Sequence, residues 1–286
     1  SASARLATLS ERPSQRAAPA MRRRKSRIGA PSCAPAPAGG TGRRRRAGAM
    51  TLGEAPAPAT AVGLARTLQF GDSMLPIGGF AFSGGLESAV QTGVVHDAAT
   101  LAAYVRTAVE QAGRGDGIGL VWAHRAAAAG DADGLVRIDE RIYARKLSAE
   151  TRTMSVRMGR KLAELAADVV GAPMLQSWRA RIETGATPGC YPVALAVAFA
   201  AQGLPARDAF VVHQYGVAAT ILSAALRLMR IGHVDTQRML HAQGAGVEAA
   251  WRRAEAAGLD DMAGFAPMME ILAAVHVRSH VRLFMN

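Results

Sequence analysis

Cysteine is nearly absent from this sequence, whose 286 residues include only Cys33 and Cys190. Two cysteines so far apart give neither a disulfide framework nor the paired spacing of a structural zinc site. Cys190 lies in an apolar stretch, where a free cysteine is typically a small buried side chain. The composition fits a reducing compartment, so we expect a cytoplasmic protein.

Long hydrophobic runs are also lacking. The longest apolar stretch, 210–231, is interrupted by His213, Gln214 and Arg227. A transmembrane helix needs ~20 largely apolar residues. We therefore expect no membrane-spanning segment.

Motifs that carry catalysis or bind nucleotide are missing. The sequence has no G-x-x-x-x-G-K-[ST] loop and no G-x-S-x-G turn. The glycine-rich segment 113–119 follows no predicted strand, and no Lys-Ser pair comes after it. Because no paired carboxylates lie in an apolar setting either, the sequence gives no indication of an enzyme.

Histidines at metal-ligand spacing occur once, at His276 and His280. This i, i+4 spacing places both imidazoles on one face of a helix. Val277 stands where the H-E-x-x-H motif has glutamate, and no Cys or third His lies nearby in sequence. We favour surface or interface histidines, with a metal site at this pair as the alternative.

Acidic residues are scarce at the start of the chain. Residues 1–49 hold twelve Arg or Lys and one acidic residue, Glu11, for a net charge of +11, whereas the whole chain carries +12. Few large apolar residues accompany these charges, so we expect residues 1–63 to form a disordered Arg/Ala/Pro-rich arm and linker. Three explanations compete: a transit-like leader, a polybasic tail for nucleic acid or membrane, and translated upstream sequence before a natural start at Met50.

Helical periodicity dominates the sequence that follows the arm and linker. Apolar residues recur at helical spacing from Leu64 onward, and no segment alternates convincingly with period two. We predict one all-α domain over 64–286, a bundle of about ten helices joined by short connections. Asp97 and Ser148 have the side chains and positions typical of N-caps.

Glycine and proline predict further helix boundaries. We expect the glycines of 113–117 to break a helix, and Thr187 to cap a nearly wholly apolar helix over 188–202. Asp235 is expected to cap a helix that reaches residue 257. The helices of 188–231 carry wide apolar faces, which predicts burial against a second copy in a homodimer.

The most informative segment is 72–87, which reads DSMLPIGGFAFSGGLE. Pro76 cannot continue a helix, and the glycines of the segment can adopt backbone angles that are closed to other residues. One interpretation is a tight turn between helices, held to the core by Phe80 and Phe82.

The same segment resembles the signature of the urease accessory protein UreF family, D-S-x-x-P-x-G-x-F-x-x-S-x-G-L-E. The matching residues are Asp72, Ser73, Pro76, Gly78, Phe80, Ser83, Gly85, Leu86 and Glu87. Gly84 departs, since the family often has His or Gln there.

Four later segments resemble the family in the same order. Residues 150–160 are similar to E-x-R-x-x-S-x-x-M-G and include Arg152 and Gly159. A glycine costs about 1 kcal/mol inside a helix, so we expect a close helix crossing at Gly159. Segment 189–194 resembles the start of the family's apolar helix, and 222–237 contains the matching Arg227. The last, 282–284, resembles the R-L-F terminus, with Asn286 in place of Ser.

The resemblance implies a non-enzymatic helical protein that helps to load nickel into urease. It implies a homodimer that binds UreD (also called UreH), recruits the GTPase UreG and docks on apo-urease. Nickel and GTP are then handled by the partners, and no cofactor is bound directly. The implied partner-binding residues are Asp72, Pro76, Gly78, Phe80, Ser83, Gly85, Leu86, Glu87, Arg152, Arg227, Arg282, Leu283 and Phe284.

The resemblance also gives expectations for the C-terminal tail, residues 282–286, and for the N-terminal arm. We expect Leu283 and Phe284 to point outward into a groove of UreD, with folding back onto their own domain as the alternative. Because the resemblance begins after Met50, upstream translation is favoured for the arm. A basic helical nucleic-acid-binding protein that uses this arm is the alternative function; the folded domain, nearly neutral, is not expected to bind nucleic acid.

Overall fold

A computed structural model of the chain describes residues 60–276 and 283–285. These residues form helices and no strand, which confirms the predicted all-α class. The helices are α1 Ala61–Gly71, α2 Leu86–Gln91, α3 Ala98–Arg114, α4 Asp116–Ala128, α5 Ala132–Arg145, α6 Ala149–Val170, α7 Pro173–Glu183, α8 Tyr191–Ala200, α9 Ala206–Leu228, α10 His233–Gly244, α11 Val247–Ala256 and α12 Pro267–His276. Short 3₁₀ turns lie at Gly79–Ala81 and Leu259–Asp261.

The first helix begins three residues before the expected boundary at residue 64. The Thr60 hydroxyl accepts a hydrogen bond from the Gly63 amide at 3.0 Å and so caps α1. The expected disorder of residues 1–59 lies outside the described residues.

Helix α8 lies at the centre of the larger core. Eight of its ten residues, 192–199, are buried, and the helix packs between α4 and α6. Gly159 of α6 permits that approach, because a Cβ atom there would lie 2.1 Å from the Gly189 carbonyl oxygen. The close crossing predicted at Gly159 is therefore present.

A second core forms between α2, α3, α9 and α12. Its buried residues include Leu101 of α3, Leu222 of α9 and Phe284 of the tail. Helix α9 also contributes to the larger core through Phe210 and Val212. In the described part of the chain, α9 alone is long and apolar enough to cross a membrane, and more than half of it is buried inside the protein.

The start of α8 differs from the prediction. Thr187 does not cap a helix at residue 188; its hydroxyl donates to the Asp139 carboxylate at 2.6 Å. The same carboxylate accepts from the Gly189 and Cys190 amides at 2.6 and 2.8 Å, so the helix begins only at Tyr191. Burial raises the pKa of Asp139, while these hydrogen bonds act to lower it.

The glycine-rich segment after α3 is also different from the prediction. Only Gly115 lies at a helix junction. Gly117 and Gly119 are inside α4, where an added Cβ would meet Phe210 and Ile142, each at 2.6 Å. These glycines therefore permit close packing and do not end a helix.

The prediction of a single helix over 235–257 is wrong, because the chain turns at Ala245 between α10 and α11. Gly232 is the N-cap of α10, and Asp235 lies in its first turn. The expected caps at Asp97 and Ser148 are confirmed, because each side chain accepts an amide hydrogen bond three residues later.

A partly buried charged group lies between α4, α9 and the end of α5. The Lys146 ammonium contacts the Asp116 carboxylate at 2.7 Å, and His213 Nε2 lies 3.9 Å from the same carboxylate. Burial acts most strongly and would lower the pKa of Lys146, but the attraction and hydrogen bond of Asp116, together with the attraction of Cys190 and Glu270, outweigh it and the pKa is raised. Burial lowers the pKa of His213 to about 4; Asp116 opposes this shift and Lys146 adds to it.

This lowered pKa predicts a pH-dependent stability. Below the ordinary histidine pKa of 6.5 the unfolded chain binds a proton that folded His213 excludes until about pH 4. The free energy of unfolding should therefore fall by about 2 kcal/mol from about pH 7 to about pH 5 through this group. Urea denaturation at the two pH values measures the change.

His213→Gln should reduce that pH difference, whereas His241→Gln, at an exposed position on α10, should leave it intact. An equal pH dependence in wild type and His213→Gln would contradict this origin.

Candidate functional site

The loop between α1 and α2 is built from local backbone contacts. Asp72 Oδ1 accepts from the Met74 amide at 2.8 Å, which turns the chain at the end of α1. Gly78 has φ +82°, so it supplies the left-handed turn that leads into the 3₁₀ turn Gly79–Ala81. Pro76 and Asp72 are exposed on this loop.

Gly85 positions the start of α2 against α3. Its φ is +81°, and an added Cβ would lie 2.9 Å from the Tyr104 hydroxyl. That hydroxyl donates to the Gly84 carbonyl at 2.8 Å. Glycine at 85 is therefore required by conformation and by space together.

The two phenylalanines of the loop have opposite environments. Phe82 is buried and holds the loop to the core, as one interpretation of the sequence predicted for both rings. Phe80 is 74% exposed, so it is free to contact a partner. A single exposed apolar residue is normal on a protein surface, so Phe80 indicates a docking surface only where other exposed apolar side chains lie beside it.

The C-terminal tail docks on α2 through its main chain. Glu87 Oε1 accepts from the Leu283 amide at 2.7 Å, and Oε2 accepts from the Phe284 amide at 3.1 Å. The Met285 amide donates to the Ala81 carbonyl at 2.8 Å. Glu87 is only 2% exposed, so these charge-assisted bonds form largely away from water.

The side chains of the tail point in different directions. Phe284 is 5% exposed and belongs to the second core, so the alternative of folding back is correct for this residue. Leu283 and Met285 are 59% and 53% exposed. In the part of the tail that the structure describes, the exposed apolar surface therefore comes from these two neighbours of Phe284.

Arg227 joins the loop to the tail. Its Nη2 donates to the Phe80 carbonyl at 3.0 Å, and its guanidinium lies 4.0 Å from the centre of the Phe284 ring. It also lies in the last turn of α9, where its positive charge interacts favourably with the C-terminal end of the helix dipole. We call Phe80, Arg227, Leu283, Phe284 and Met285 the loop–tail site.

The remaining predicted site residues fall into three groups. Ser83, Leu86 and Glu87 are buried and shape the site from beneath; the Ser83 hydroxyl accepts from the Glu87 amide at 3.4 Å. Arg152 lies apart on α6, with Nη1 donating to the Lys146 carbonyl at 2.5 Å. Arg282, His280 and the side chain of His276 lie outside the described residues.

No group of three or more His, Cys, Asp or Glu side chains that could hold a metal ion occurs among residues 60–275 and 283–285. Cys190 is fully buried, and burial raises the pKa of its thiol. This matches the expected role of a small core residue.

The sequence did not reveal how the tail is held. Glu87 was expected to meet a partner, whereas its carboxylate binds tail amides. One signal was present: Glu87 lies among the apolar residues Leu86, Ala89 and Val90, and an acidic side chain needs partners when it is buried.

Comparisons with known proteins agree on one family. A family model described as UreF matches residues 95–244. The chain is 54% identical over 224 residues to "Urease accessory protein UreF 2" of Brucella canis, and the aligned residues cover 78% of this chain and 92% of that protein. It is 52% identical over 223 residues to "Urease accessory protein UreF" of Yersinia pestis, with 78% and 98% covered.

Proposed function

Because the chain belongs to the UreF family of urease accessory proteins, we propose that it is a non-enzymatic docking protein for nickel insertion into urease. In this role it binds UreD (UreH), recruits the GTPase UreG and brings both to apo-urease. Nickel and GTP are bound by those partners, and the protein acts in the cytoplasm as a homodimer.

The loop–tail site is the observation that carries this proposal. Three exposed apolar side chains, those of Phe80, Leu283 and Met285, are presented by backbone that is tied to buried Glu87 and to Arg227. Rigid apolar anchors lose little conformational freedom when a partner covers them. The site therefore has the chemistry of a protein interface.

Substitution of Leu283 tests the partner role. Leu283→Asp places a charge on the exposed apolar surface, and its burial by a partner would be costly. We expect co-expressed UreD to stop co-purifying, while the circular dichroism spectrum and melting temperature of the variant stay unchanged. Size-exclusion chromatography of the co-expressed pair measures the complex.

The matched control is Val234→Asp, which changes an equally exposed apolar residue on α10. UreD should remain bound to this variant. Retention of UreD by Leu283→Asp would show that the tail is not the anchor.

Nucleic-acid binding by the basic arm remains the alternative function. It depends on residues 1–49, which lie outside the described residues. Deletion of these residues separates the two functions, because docking of UreD through the loop–tail site should survive it.

A further inference from the structure

One face of α6 carries three arginines that share a groove. Arg152, Arg157 and Arg160 line an open cavity of about 820 Å³, with the loop 185–188 along one side and the end of α5 along the other. One carboxylate, that of exposed Glu140, is also in the lining. The groove therefore has an excess of positive charge.

These arginines have no carboxylate partner among the described residues, since none of the ion pairs found there includes them. Arg114, Arg179 and Arg252, by contrast, each pair with a glutamate four residues away. Glu164 lies one turn after Arg160, but it pairs with Lys161 at 3.0 Å.

Other contacts hold the guanidinium groups in place. Arg152 donates to the Lys146 carbonyl and lies 5.8 Å from the centre of the Tyr143 ring. Arg160 Nε donates to the Pro188 carbonyl at 3.1 Å. Because a guanidinium has five N–H donors, each still has donors for an anion.

Arg157 connects the groove to the loop–tail site. Its Nη1 lies 3.4 Å from the Met285 sulfur. Arg157 and Arg160 are three residues apart on one helix, where like charges destabilise each other. A bound anion would relieve this repulsion.

We propose that this groove binds an extended acidic segment of a partner protein. Arginine matches carboxylate in a two-bond geometry. The span from Arg152 to Arg160 is about 12 Å at ~1.5 Å per helical residue, the length of roughly four residues of extended chain at ~3.3 Å each. Acidic side chains at alternate positions would then face the arginines. This inference goes beyond the proposed function and does not require UreD or UreG.

Photo-crosslinking to the full chain tests the groove. The probe is a peptide of alternating Asp and Glu with a central benzoylphenylalanine, and mass spectrometry of chymotryptic fragments locates the cross-links. We expect cross-links within 140–160 and 185–188, counted separately from any to the basic residues 1–49. Arg152→Gln/Arg157→Gln/Arg160→Gln should lower the groove yield about tenfold, because each exposed charge pair contributes modestly.

Controls make the outcome specific. Arg238→Gln/Arg252→Gln, on α10 and α11, should keep the groove cross-links, and a peptide of Asn and Gln should give none. Should the triple variant unfold, Arg157→Gln/Arg160→Gln changes only exposed side chains and should still lose most of the yield.

Three results would overturn the proposal. The first is an undiminished groove yield in the folded variants, and the second is a set of cross-links confined to residues 1–49. The third is that inorganic phosphate, at matched ionic strength, displaces the peptide as effectively as unlabelled acidic peptide does, which would indicate a phosphate site. Because the chain is tested alone, failure here is distinguishable from failure of the UreD experiment.

Discussion

Gly159→Ala is expected to lower the free energy of unfolding by more than about 3 kcal/mol, or to prevent folding. The added Cβ would lie 2.1 Å from the Gly189 carbonyl oxygen and 2.5 Å from the Tyr191 nitrogen. These are backbone atoms at the start of the most buried helix, so α6 and α8 would have to separate. Urea denaturation followed by circular dichroism measures the loss.

Gly216→Ala is the matched control, because Gly216 is also inside a helix but an added Cβ would meet nothing within 4 Å. Here alanine should stabilise the protein by up to about 1 kcal/mol through helix propensity. Equal effects of the two substitutions would show that the crossing of α6 and α8 is not the constraint.

Phe284→Ala is expected to destabilise the protein by about 3–4 kcal/mol, although the residue is two positions from the end of the sequence. Its ring is buried in the second core and lies against the Arg227 guanidinium. The substitution leaves a cavity and removes the aromatic partner of Arg227. Binding of UreD should fall as well, because the exposed neighbours of Phe284 lose their fixed position.

Leu283→Ala in the same segment separates stability from binding. Since Leu283 is largely exposed, its truncation should change the free energy of unfolding by less than about 0.5 kcal/mol and still weaken the UreD complex. A stability loss as large as that of Phe284→Ala would mean that the tail packs through both side chains.

Sequence predicted those parts of the fold in which the interacting groups lie within a few residues of each other. The caps at Asp97 and Ser148 use a side chain and an amide three residues apart, so sequence alone contains both partners. The close crossing at Gly159 was predicted from the cost of a helical glycine. The start of α8 was not, because the acceptor that holds Thr187 is Asp139, 48 residues earlier in the chain.

The candidate site was predicted as a set of residues without its geometry. The family signature marked Phe80, Arg227 and Phe284, and the structure brings all three together. The direction of Phe284 could not be predicted, because it depends on amides of the tail meeting Glu87 across 197 positions of sequence. Met285 carried no signal at all.

Attachment of the tail through its peptide groups has an evolutionary consequence. Glu87 recognises the amides of residues 283 and 284, which every amino acid except proline provides. The Met285 amide is held in the same way by the Ala81 carbonyl, and the R-L-F signature leaves position 285 open. The outward side chain at 285 can therefore diverge between species, following changes in the surface it meets, while the anchor stays the same. Variation at this position should track the partner's sequence, and proline should be excluded from it.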